Sequence, residues 1–455
     1  MKYVGVDIGS SSVKGAILDL DAMSISHPQR VPAPQALPEL PPLHFEVDPW
    51  EVVHATREII TTLVRSLDSC AGIVCCTQMS GVILVHPDGQ PASNYISWRD
   101  QRVLEPHPSG AGSYYELAQQ RLSPEVFARL GECKPGSPTS LLFWFAEQGL
   151  LEPTMIPLGL ADFVAMQLAG AAPCTEYTNA VGALDLMTGD WHHEAFTALG
   201  IHELAWPQLC GPYHAIGNFV VDQHSVPFYP AVGDQQCALA GARLGEGDLS
   251  INVSTGSQLS QVVDDYRPGD YQLRPYFDNR YLNTITHLPA GRSLTAIVDL
   301  LTELPRALGL DLPDPWPYIS DQSARDGGVC ADLAFFEGPM GNRGSLQDLT
   351  LDNLNVGNLF HAAFTNMADN YATCSRQLAA EGDWSQIILS GGLPQRCPVL
   401  RDLITARFAC PARICSEAEE TLAGLLIIAL IASGRASHVT EATELYSPEL
   451  PQLEG

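Results

Sequence analysis

Ile251–Gln258 reads I-N-V-S-T-G-S-Q, and Val4–Lys14 reads V-G-V-D-I-G-S-S-S-V-K. Each is a short apolar strand that empties into glycine and small hydroxyl residues, a composition whose backbone N–H groups can close round an anion. One such turn says little. Two of them, about half the chain apart and each opening a domain of its own, predict a triphosphate held from both walls of a cleft. The expectation is an α/β protein of two domains, 1–231 and 232–455, with ATP between them.

Size and charge agree with that outline. At 455 residues the chain exceeds what one hydrophobic core usually organises, so two domains are the default. Asp plus Glu outnumber Lys plus Arg by 52 to 24, a formal charge of -28 that repels nucleic acid. A small anion such as ATP then needs local N–H donors and a divalent cation. No apolar run reaches the roughly 18 residues of a membrane span, and Asp7 sits in the first strand, so neither a span nor a secretory signal is expected. The reading is a cytoplasmic protein without a membrane partner. The twelve cysteines are scattered, lack a C-x-x-C pair and read as reduced, buried thiols.

Outward from the first turn, Tyr3–Asp7 and Val13–Leu20 read as a hairpin around Gly9, Ser10, Ser11 and Ser12, with Lys14 at the start of the return strand. No G-x-x-x-x-G-K-[ST] loop is present. Asp7 on an apolar strand needs a cation or hydrogen bonds to compensate its burial. Proline density from His27 to Leu43 predicts a loop or irregular edge, and Asp48-Pro49 predicts a helix start. Ala71–Cys76 reads as a buried strand ending in Thr77-Gln78-Met79-Ser80-Gly81. Tyr95–Arg102 (Y-I-S-W-R-D-Q-R) combines an apolar face at Trp98 with a carboxylate at Asp100, a mixture suited to a polyol, although a surface ion-pair cluster beside a core Trp fits the same letters.

Ser113–Ala172 is mostly helical in pattern, and Thr175–Ala180 (T-E-Y-T-N-A) is a polar loop. Glycines and prolines from Cys210 to Pro230 mark the expected interdomain crossing. Val232-Gly233-Asp234-Gln235-Gln236 then stops an apolar approach at an acid, followed by a small-residue helix. Asp234 reads either as a helix cap or as a general base beside an incoming phosphoryl group. Trp316–Gly328 reads as irregular and Val356–Leu378 as an amphipathic helix. Ile387–Gly392 repeats the design a third time, its glycines letting a flat base or ribose approach the backbone. Glu417–Thr421 reads as the cap of a final apolar helix.

Taken in order, Asp7–Ser12 with Lys14, Gln78-Met79, Trp98 with Asp100 and Arg102, Gly233–Gln236, Ser254-Thr255-Gly256 and Ser390-Gly391-Gly392 resemble the FGGY family of carbohydrate kinases, within the actin-like ATPase superfamily. The resemblance implies two ribonuclease-H-like domains, each a mixed sheet flanked by helices, closing on a sugar and MgATP. It implies that Gly9, Ser10, Ser11, Ser12, Lys14, Thr255 and Gly256 bind phosphates and that Gly391 and Gly392 lie against adenosine. Asp7 and Asp234 would serve Mg²⁺, Asp234 would be the base, and Gln78, Met79, Trp98, Asp100, Asp234 and Gln235 would face the sugar. A homodimer is left open.

Within the family, Arg274–Phe277, Tyr281-Leu282, Leu288–Gly291 and Gly341–Arg343 look most like sedoheptulokinases, with xylulokinases next. Two positions depart from the family pattern: Ser80 stands where a sugar-facing His occurs, and Ser140 where a lysine precedes the Trp-containing helix. Both leave room for a sugar-sensing protein with weak catalysis. An actin- or chaperone-like ATPase would share the phosphate turns but has no need of Trp98, Asp100 and Gly233–Gln235 together.

Overall fold

The computed structural model describes residues 1–379, 382–415 and 419–446. In the first half, strands β1 (Lys2–Ile8), β2 (Ser12–Asp19) and β3 (Ser24–Pro32) run antiparallel. Helix α1 (Pro49–Arg65) returns the chain to β4 (Ile73–Thr77), parallel to β1. Asp48 caps α1 by accepting from the Trp50 N–H at 2.8 Å, with Pro49 in the first turn, as the sequence predicts. Helices that include α2 (Pro138–Glu147) and α3 (Leu160–Ala169) intervene before β5 (Gly217–Val221), β6 (His224–Phe228) and β7 (Val232–Gly233). The sheet order is β5-β6-β4-β1-β2-β3, with β7 also paired to β4.

The second half repeats the plan after helix α4 (Asp234–Gly241). Strands β8 (Leu249–Val253), β9 (Ser257–Val263), β10 (Gln272–Pro275) and β11 (Tyr281–Leu288) lead into helices α5 (Gly291–Ala307), α6 (Trp316–Gln322) and α7 (Val356–Leu378). Strands β12 (Ile387–Ser390) and β13 (Ala412–Ile414) complete the sheet, in the order β10-β11-β9-β8-β12-β13, before helix α8 (Glu420–Ala432). β8 is antiparallel to β9 and parallel to β12, just as β1 is antiparallel to β2 and parallel to β4. The two anion-type turns therefore occupy equivalent places, each at the carboxyl end of a sheet's first strand.

Two expectations change, and the irregular edge expected from His27 to Leu43 is met. Cys210–Pro230 is largely the β5–β6 hairpin of the first sheet, not a bare crossing. The proline-dense stretch enters the sheet as far as Pro32, where edge strand β3 tolerates a residue without an N–H. The Trp316 passage forms α6, since Pro317 is acceptable in a first turn. Of the expected cap before the last helix, Glu417 and Ala418 lie outside the described residues.

Among the described residues, four buried clusters hold the molecule together, and two span both halves: one brings Leu273 against Leu130 and Leu186, and the other is the larger. Tyr3, Leu18 and Val74 of the first sheet pack with Leu239 of α4 and with Leu425, Leu426 and Ile428 of α8. Helix α8 has no polar face because α4 and the first sheet cover it.

Candidate active site

Both turns lie open to solvent at their tips. Ser11 is exposed between β1 and β2, while Gly9 N–H donates to the Ser12 carbonyl at 3.2 Å and closes the turn. Ser12 itself is buried, so its side chain is not presented. Ser254, Thr255 and Gly256 are all exposed between β8 and β9. The N-terminus of α5 abuts this second turn, with Gly291 N–H donating to Ser254 O at 3.0 Å and Arg292 N–H to Thr255 O at 2.7 Å.

A cavity of about 280 Å³ opens beside the second turn, lined by Ser254, Thr255, Thr295, Trp316, Gly392 and Arg396 among others. Gly391, which precedes the lining residue Gly392, adopts φ 86°, and a Cβ there would stand 2.4 Å from the Val253 carbonyl oxygen, so only glycine fits. The sequence pointed to Thr255 and Gly392 but missed Thr295, Trp316 and Arg396. An aromatic in a Pro-rich passage was the available signal for Trp316. Arg396 carries no local pattern that would mark it.

Asp7 and Asp234 meet electrostatically where the two halves join. Burial, and then the negative charge of Asp7, push the Asp234 carboxyl up to about 7, against the opposing pull of the Gln235 N–H. Asp234 Oδ1 accepts that N–H at 2.8 Å, and the residue is half-buried at the start of α4. Burial also raises Asp7, opposed by Lys14 and by the Thr421 hydroxyl. Thr421 donates to Asp7 Oδ2 at 2.9 Å, whereas Asp7 Oδ1 is buried with no partner. Two carboxyls that repel each other, one with an orphaned oxygen, fit a cation between them. Among the described residues, no group of three His, Cys, Asp or Glu side chains could hold a metal unaided, so such an ion would have to arrive with other ligands such as phosphates.

Lys14 lies 2.8 Å from Glu419 Oε2 and 3.8 Å from Asp7 Oδ2, so its ammonium is engaged by two carboxylates. On the other side, Trp98 is 40% exposed and its indole N–H donates to Gln78 Oε1 at 3.0 Å. Met79 packs on Gly233, where a Cβ would stand 2.6 Å from the Met79 sulfur. Arg99, which the sequence did not single out from its neighbours, stacks between Phe45 and Trp98 and donates to the Ser10 carbonyl at 3.2 Å. It ties the Trp98 loop to the first turn.

Two expected sugar contacts are not brought to the cleft. Asp100 has no exposed surface: its carboxylate accepts from the Phe45 N–H and from the backbone and guanidinium of Arg102. The alternative, a surface ion-pair cluster beside a core Trp, is not met either: the Asp100–Arg102 pair is buried and Trp98 is the exposed member. Gln235 is also buried, donating to Ser260 and Thr284 and accepting from Arg274. Its amide is committed to the second sheet. Ser140 is buried against the Cys133 sulfur. Ser80, at φ 65°, lines a small cavity with Gln78 and Asn179.

Two sheets of one topology, with an acid and a glycine–hydroxyl turn on either side of their junction, define an actin-like ATPase fold. The model for the N-terminal domain of the FGGY family of carbohydrate kinases matches residues 2–241, and the chain belongs to that family. It is 22% identical to human sedoheptulokinase over 93% of this chain and 96% of that protein. It is 24% identical to a Bacillus subtilis xylulose kinase over 65% of this chain and 61% of the relative. A ligand-bound xylulose kinase from Lactobacillus acidophilus superposes with TM-score 0.85 at 19% identity, covering 100% of this chain and 93% of the other. Plasmodium falciparum glycerol kinase with ADP does so with TM-score 0.80 at 17% identity, covering 98% and 92%.

Proposed function

We propose that this carbohydrate kinase transfers the terminal phosphoryl group of ATP to a hydroxyl of a ketose or polyol, with sedoheptulose the first candidate and xylulose the second. One observation carries the reading: Asp234, raised toward neutrality, faces Asp7 between two turns of equivalent topology. A carboxyl poised near pH 7 suits a base that must be ionised yet able to take a proton. Similarity to the human sedoheptulokinase along almost the whole chain favours the seven-carbon sugar.

In this reading the adenine and ribose occupy the cavity between Trp316 and Gly392, and the phosphates run past Ser254–Gly256 toward Gly9–Ser11. A magnesium ion entering with ATP would be held by Asp7, whose Oδ1 is unpartnered, and by Asp234 together with the phosphates, and would neutralise phosphate charge. Trp98, Gln78 and Met79 would face the sugar, and Asp234 would orient the attacking hydroxyl and accept its proton late in the transfer. Asp100 and Gln235 act beneath that surface, holding Phe45 and Arg274.

Coupled ADP release over a panel that includes sedoheptulose, xylulose, other ketoses and polyols tests the proposal. Sugar-dependent turnover with sedoheptulose preferred is expected. A preference for xylulose would replace the sugar, and ADP release indifferent to every sugar would overturn the reaction itself.

A further inference from the structure

The polar loop T-E-Y-T-N-A, whose Asn179 also lines the small cavity beside Gln78 and Ser80, lies against the strand that delivers Asp234. Among the described residues, strand β7 has a strand partner on one edge alone, Val232 pairing with Cys76 and Gly233 with Thr77. In an extended strand, alternate residues turn their polar groups to the same edge, so Ala231 C=O and Gly233 N–H face the side away from β4. Both are met by side chains of the loop. Asn179 Nδ2 donates to Ala231 O at 2.6 Å, and Gly233 N–H donates to Thr178 Oγ1 at 2.8 Å.

The hydroxyl of Thr178 can accept from Gly233 only if its own proton points elsewhere. Glu176 takes that proton in a short hydrogen bond and also accepts the Thr178 N–H at 2.8 Å. Thr178 and Glu176 are 1% and 2% exposed, so water does not compete for these groups. The residue after Gly233 is Asp234, one peptide from the brace.

We infer that Thr178 and Asn179, fixed by Glu176, stand in for a missing strand and are positioning residues for Asp234. The inference rests on Asp234 being the base. A displacement of about 1 Å in a reacting group costs on the order of 10²-fold in rate, so loss of the brace should lower kcat while leaving the substrate surfaces intact.

Thr178→Val removes the hydroxyl at constant shape, and Thr178→Ser restores it. Turnover is measured on the best sugar of the panel, and amide hydrogen exchange is followed in the peptide covering residues 229–236. Thr178→Val is expected to lower kcat about 10- to 100-fold with each KM within about twofold, and to speed exchange of that peptide. Thr178→Ser is expected to recover both. Unchanged kcat, unchanged exchange, or a Ser variant as impaired as the Val variant overturns the inference. Should the wild-type protein turn over no sugar, it is the proposed function that fails, and the exchange arm alone decides the brace.

Discussion

At the scale of single residues, the site rests on one acid held near neutrality. Asp234→Asn keeps the shape and removes the base, so kcat is expected to fall by ~10²–10⁴-fold with little change in sugar KM. Steady-state kinetics on the preferred sugar checks this, and a loss below tenfold would remove Asp234 from the reaction. The pH dependence follows with a definite sign. Because burial and Asp7 raise the folded-state value to about 7, the carboxylate fraction, and with it kcat/KM, should decline as pH drops below about 7. Stability runs the other way: the folded state holds this proton more tightly than the unfolded chain, so stability falls as pH rises from about 4 toward 7. In magnesium-free buffer at pH 8, Asp234→Asn is therefore expected to be more stable than the wild type, by on the order of 1–3 kcal/mol, and to melt at a higher temperature. Equal melting at pH 8 would mean the carboxyl is solvated, not buried. The acid itself was legible in the sequence, because an apolar approach stopping at Gly-Asp ahead of small residues is unusual. The misassigned Asp100 and Gln235 were not, because a string shows that a polar side chain is present but not which way it turns.

At the scale of elements, the repeated strand–turn–strand pattern was readable twice because it is local: alternation, glycine and hydroxyls sit within a dozen residues. The cavity beside the second turn was only half readable. One wall comes from Ser254 and Thr255 after β8 and Gly392 after β12, but the rest comes from α5, α6 and Arg396, which meet only when the second sheet folds. Trp316 is the test of the latter part. Stacking of an aromatic ring on a flat base is worth roughly 0.5–1.5 kcal/mol beyond its area, so Trp316→Ala should weaken ATP binding about 2- to 12-fold. Calorimetric titration with nucleotide alone reads this directly. An unchanged affinity would put the base elsewhere in the cavity, and a changed sugar KM would mean that α6 reaches the other half of the site. The β5–β6 hairpin was misread for a related reason, since Gly- and Pro-rich segments form edge strands as readily as linkers when a neighbouring strand waits to pair.

At the scale of the whole molecule, the two halves are joined by apolar cores and by a buried ionic link. Arg274 of β10 donates to Glu132 of the first half at 2.6 and 3.0 Å, and Lys134 bridges Glu132 and Thr286 at 3.0 Å on each side. Burial works against the Glu132 charge, yet Arg274 and Lys134 prevail and hold the carboxyl down at about 2. A group held below its unfolded value stabilises the fold above about pH 4.5, and that contribution is lost as pH falls toward 2. Arg274 also contacts Gln235, the neighbour of Asp234, so the link ties the relative placement of the halves to the helix that begins at Asp234. Removing one charge leaves the other buried and unpaired, typically at a cost of about 3–5 kcal/mol, whereas removing both costs much less. Glu132→Gln and Arg274→Met should therefore each lower the denaturant midpoint sharply at pH 7, while the double variant recovers most of the loss. Strict additivity of the two losses in urea unfolding would show that the pair does not act as a unit. Recovery of stability without recovery of kcat would show that the link sets the geometry of the cleft as well as holding it together.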